Sequence, residues 1–94
     1  MTPLIEKKVY VVHVSLYDHE GVKLSTQVVK VFADRKSAEE FVVDDTHWAL
    51  NSKTYRIALL GDTVFIFFLE KGKEAKPYHS YFIQEIGLTE NIPL

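Results

Sequence analysis

Between Lys8 and Asp18, Tyr10, Val12, Val14 and Leu16 fall on one face of an extended segment, and Val9, Val11, His13, Ser15 and Tyr17 fall on the other. Successive side chains of a strand point to opposite sides, so the even-numbered set predicts a core face. Asp18-His19-Glu20-Gly21 supplies turn chemistry, and a second β-branched run follows from Lys23 to Ala33. The two runs predict a hairpin. Lys23, Gln27 and Lys30 interrupt the second run, which suits an edge strand protected against pairing with other molecules.

Asp34 predicts a helix start, since a short carboxylate at this point accepts a bond from an otherwise unpaired amide; Ser37 with Glu40 offers an alternative capping box. At about 100° per residue, Ala38, Phe41, Val42 and Ala49 share an arc with Trp48 at its margin, and that arc must face the sheet. Asp45 falls in the middle of it. An unpaired buried carboxylate is costly, so two arrangements are open. The preferred one breaks the helix near Asp44, with Asp45 capping a further turn from Thr46 to Leu50; the other pairs Asp45 with Arg56 or a tyrosine hydroxyl.

Three more strand-like runs follow: Thr54 to Leu60, Thr63 to Lys71 and Tyr78 to Ile86, separated by Gly61-Asp62 and by Gly72 to Pro77. Val64 through Leu69 is apolar at every position, the mark of a strand covered on both faces and therefore internal to the sheet. The expectation is an α+β fold: one antiparallel or mixed five-stranded sheet in the order ββαβββ, with one helix packed on one face. A workable strand order is 2-1-5-4-3, with the Lys-bearing second strand and the Lys53/Arg56 strand at the edges. Residues 1–94 read as a single domain, with a polar lead over 1–7, a core over 8–87 and an extended or loose tail over 88–94 broken by Pro93.

Five strands at about 4.8 Å spacing make a sheet roughly 24 Å wide, whereas a helix with its side chains is about 10 to 12 Å wide. One helix covers one face at most. Val9, Val11, Tyr17 and one side of the Phe65/Phe67 strand are left facing away from it, and an apolar patch of that kind marks an interaction surface. A homodimer through this face is the preferred use, closed two-fold dimers being the commonest assemblies. The plainer accounts are a sheet that coils into a half-barrel and closes on these side chains, or a tail that folds back over them.

Composition changes this picture little. The chain has 94 residues, 47% of them hydrophobic and 26% charged, with a formal charge of −2, which describes a globular domain without the global field that draws in a polyanion. Cysteine is absent, so disulfides and zinc-thiolate sites drop out, and a reducing cytoplasm is the expected setting. Neither a secretion signal nor a membrane span is expected, since Val9 to Val14 is short and interrupted by His13.

Candidate chemistry is sparse. His13, Ser15 and Tyr17 alternate on one face, and if the fifth strand neighbours the first, His79 and Tyr81 would project beside them. Two imidazoles, a hydroxyl and two phenols could bind a small anion, polarise a carbonyl or hold a metal. The plainer account is the amphipathic outer face of a sheet, and no Gly-x-Ser-x-Gly turn presents Ser15 as a nucleophile. Asp44 and His47 have ligand spacing on a helix but lack a third partner, so no metal and no cofactor is expected. Phe65 and Phe67 near Lys71 and Lys73 invite comparison with base-stacking sheets, but the glycine-aromatic pattern of RNA-binding strands is missing.

The run Val9-Tyr10-Val11-Val12, then Phe32-Ala33-Asp34 with Ala38 and Phe41, then Tyr81-Phe82-Ile83-Gln84-Glu85-Ile86, resembles short uncharacterised bacterial and phage-encoded proteins of ββαβ type. The resemblance implies the opening strand, capped helix and closing strand, and carries no activity or site residue. The long hydrophobic hairpin from Thr54 to Leu69 departs from it. The functional expectation is therefore a small non-enzymatic interaction module, a regulator, inhibitor or accessory subunit, partnered by itself or another protein. Behind it stand a small-ligand site or minor enzyme at His13, Ser15, Tyr17, His79 and Tyr81, and then single-stranded nucleic-acid binding; no membrane partner is expected.

Overall fold

The computed structural model describes Leu4–Asn91, with side chains described over 7–88. Strands β1 (Leu4–Tyr17) and β2 (Lys23–Phe32) precede helix α1 (Arg35–Thr46) and a 3₁₀ turn (His47–Ala49); β3 (Tyr55–Leu60), β4 (Thr63–Phe68) and β5 (Lys76–Asn91) follow. All five strands join one antiparallel sheet in the order β2-β1-β5-β4-β3. The fold class, element order and strand order are those expected from the sequence.

The β1–β2 turn is set by Asp18, whose Oδ1 accepts the amides of Glu20 and Val22, each at 2.9 Å. Those amides, Val22 first, hold the Asp18 carboxyl below the usual carboxylate range. Gly21 takes a φ of 84°, and a Cβ on it would meet Pro77 Cδ at 3.2 Å. The turn therefore packs tightly against the start of β5. At the other end of the hairpin, Phe32 meets Phe41 of α1 with ring centroids 5.6 Å apart, and Lys30 Nζ sits 5.7 Å from both rings.

Asp34 is the N-cap of α1. Its two carboxylate oxygens accept the amide of Ser37 at 2.8 Å and the Ser37 hydroxyl at 2.9 Å, which lowers its pKa. The helix buries Ala38, Val42 and Thr46 against Val12, Val14, Ile66 and Tyr81, with Ala49 of the 3₁₀ turn closing the same cluster. Val12 and Ile66 are fully buried.

One expectation is corrected. The helix does not break at Asp44: it runs through Asp45 to Thr46, and Asp45 Oδ2 accepts a 2.5 Å hydrogen bond from Tyr81 Oη. The carboxylate lies at the exposed margin of the helix, so one phenol suffices where a deeply buried group would need a break. The tail, expected as extended or loose, is extended over its described part: Leu88 to Asn91 pairs in register with Leu4 to Lys7 of the lead. These segments extend β1 and β5 into a two-stranded ribbon, and the described molecule measures 66 × 24 × 19 Å. Met1 to Pro3 and Ile92 to Leu94, Pro93 included, lie outside the described residues.

Candidate functional site: the sheet face opposite the helix

Cross-strand partners share a face, and the β1–β5 register pairs odd-numbered β1 residues with even-numbered β5 residues: Val9 with Ile86, Val11 with Gln84, His13 with Phe82 and Ser15 with Ser80. His79 and Tyr81 therefore lie opposite Leu16 and Val14 on the helix side. The arrangement expected around His13, Ser15 and Tyr17 is corrected on this point, since His79 and Tyr81 do not join it. Ser80, Phe82 and Gln84 stand there instead, with Thr26 from β2 and Phe65 from β4. The sequence shows these residues but not the parity of the register, which the connections between distant strands decide.

Down the middle of this face runs a seam of polar pairs. His13 Nε2 lies 2.8 Å from Gln84 Oε1, Ser15 Oγ 2.9 Å from Thr26 Oγ1, and Tyr17 Oη 3.0 Å from Ser80 Oγ. Each group is engaged by a neighbour that is not its would-be catalytic partner. Among the described residues no hydrogen bond joins His13 to Ser15 and no carboxylate orients the imidazole, so these residues do not show the nucleophile, base and acid geometry of acyl transfer. It forms the floor of a shallow groove of about 430 Å³.

Apolar side chains flank the seam. Val9 and Val11 stand on the β2 side with Val28 and Val31; Tyr17, Phe65 and Phe67 stand on the β4 side with Ala58 and Leu60. Phe65 and Phe67 stack with centroids 5.5 Å apart, and Tyr17 lies 6.4 Å from Phe65. Val11 is already buried, at 7% exposure, whereas Val28 (58%), Val31 (53%), Leu60 (56%) and Phe82 (38%) are open. From Val9 through Tyr17, Thr63 through Phe67 and Ser80 through Ile86, no position on this face carries a formal charge; Lys23 and Arg56 occupy it only on the edge strands.

On the helix side, His79 and Tyr81 form part of the cover beneath α1. Burial first, and then the hydrogen bond to Asp45, raise the Tyr81 phenol well above its ordinary pKa. Burial pushes His79 below the ordinary histidine value, against the opposing pull of the Asp45 charge. Asp44 and His47 are exposed, and among the described residues no three His, Cys, Asp or Glu side chains converge as metal ligands. No described helix is long and apolar enough to cross a membrane.

Comparison with protein-family models, curated proteins and solved structures gives no match, so the site is read from its own geometry.

Proposed function

We propose that the chain is a non-enzymatic protein-interaction module that homodimerises through the sheet face opposite the helix. The observation that carries this is the absence of formal charge from that face over Val9 through Tyr17, Thr63 through Phe67 and Ser80 through Ile86, beside open Val28, Val31, Leu60 and Phe82. Interface cores are depleted in charge and rimmed by polar groups, and here Lys23 and Arg56 stand at the rims. The account in which the tail covers this face loses ground, because over its described part the tail continues as strand through Asn91.

A self-complementary face also gives the seam a use. His13, Ser15, Tyr17 and their partners keep hydrogen-bonding capacity that a second copy can meet across a two-fold axis. Val31→Lys and Phe82→Lys test the reading, because both side chains are open in the single chain and a lysine there does not disturb the core. Either variant is expected to convert the dimer to a folded monomer in a light-scattering sizing run. A dimer that persists in both would place the contact elsewhere. Val11→Asp is a poor probe, since Val11 is buried within the subunit and its loss reports stability.

A further inference from the structure

Pro77 stands near the start of β5, and proline has no amide to give to the ladder. The β4–β5 register slips there: Ile66 pairs with His79, Phe67 with Pro77, and Tyr78 is left as an extra residue. In regular alternation Tyr78 would share the open face with Ser80. The bulge turns it to the helix side, where its ring lies 5.0 Å from Tyr55 and 6.4 Å from Trp48 and stacks on His79 at 4.1 Å. Bulges re-aim side chains in this way, often beside functional sites. Phe68 adds a further ring 5.5 Å from Tyr55.

The rings do not close on one another. Tyr55, Phe68, Pro77 and Tyr78 wall a cavity of about 280 Å³ at the end of the sheet, with Asp18 and Lys76 also lining it. The Asp18 carboxylate is committed to its turn through two amides. Lys76 stands opposite Phe68 in the ladder and has no ion pair among the described residues. Asp18 keeps its charge but spends its hydrogen-bonding capacity on the turn, so Lys76 is the charged group of the cavity left to orient a ligand, and it selects an anion.

The geometry points to a binding site for a planar aromatic molecule that carries a carboxylate, its ring against Tyr55, Phe68 and Tyr78 and its acid on Lys76. Ring stacking supplies the apolar contact, and the lysine supplies the charged hydrogen bond that fixes orientation. Tyr55, Phe68 and Tyr78 reach the cavity from helix-side positions and the bulge, and Tyr17 and His19 complete its lining, so Tyr17 borders both this cavity and the open face.

Benzoate, benzyl alcohol and benzyltrimethylammonium share a ring and differ in charge, and they serve as probes in an amide-resolved NMR titration of the full chain. Benzoate is expected to give saturable shifts confined to the amides lining the cavity, those of Tyr17, Asp18, His19, Tyr55, Phe68, Lys76 and Tyr78, and to the indole N–H of the neighbouring Trp48, the chain's sole tryptophan. Benzyl alcohol should bind about fivefold more weakly, and the cation more weakly still. Lys76→Met, a surface change, should bring benzoate down to the level of the alcohol; Tyr78→Ala, with its unliganded spectrum checking the fold, should weaken all three. Shifts that do not saturate, shifts elsewhere, tighter binding of the cation, or benzoate binding unchanged in Lys76→Met would each overturn the assignment.

Discussion

Tyr81 donates to Asp45 across the packing between the helix and an inner strand, and that contact explains how a carboxylate is tolerated on the helix's inward arc. Removing the hydroxyl in Tyr81→Phe leaves Asp45 to be hydrated at the helix margin, so the cost should be that of one hydrogen bond to a charged group, about 1 to 2 kcal/mol. Urea unfolding of the variant measures it, and an unchanged midpoint would contradict the contact. His79 lies beneath the same helix with its pKa depressed chiefly by burial. Between the depressed folded value and the ordinary unfolded one, the unfolded chain binds more protons, so stability must fall as pH falls through that window and level off below it. The melting temperature should therefore drop from neutral to mildly acidic pH, and His79→Gln should flatten that drop. An equally steep profile in the variant would assign the effect to other groups.

Among the elements, the helix and the strands were legible in the sequence because their periodicities are clean: Tyr10, Val12, Val14 and Leu16 mark a one-faced strand, and Asp34 with Ser37 marks a cap. The cap is expected to matter: Asp34→Ala should lower the melting temperature by a few degrees near neutral pH. Because the folded pKa of Asp34 is depressed, that difference is present above the ordinary aspartate value and should vanish as pH falls through the folded one. A difference that persists in acid would remove the carboxylate from the explanation. The register parity was not legible, and with it the identity of Ser80, Phe82 and Gln84 as neighbours of His13. A slip of one residue exchanges every side chain between faces, and nothing local to β1 or β5 reports which register the long connections choose. The bulge left one signal, Pro77 next to a strand, but the direction in which Tyr78 turns depends on Tyr55 and Trp48, which come from distant parts of the chain.

For the whole molecule, one helix on a five-stranded sheet divides the surface into a face that explains the fold and a face that is free for work. The sequence made the width mismatch visible. The structure adds that the free face has a hydrogen-bonded polar seam between two apolar flanks, with no formal charge on its inner strands over Val9 through Tyr17, Thr63 through Phe67 and Ser80 through Ile86. We propose that such a surface is used to recognise a complement of the same design, because its hydroxyls and imidazole are engaged with neighbours instead of with one another. Sedimentation equilibrium of the unmodified chain across the micromolar range tests this most directly. The account predicts a mass rising from one chain to two, with a dissociation constant that weakens in Phe82→Lys; a mass of one chain at every concentration would contradict it.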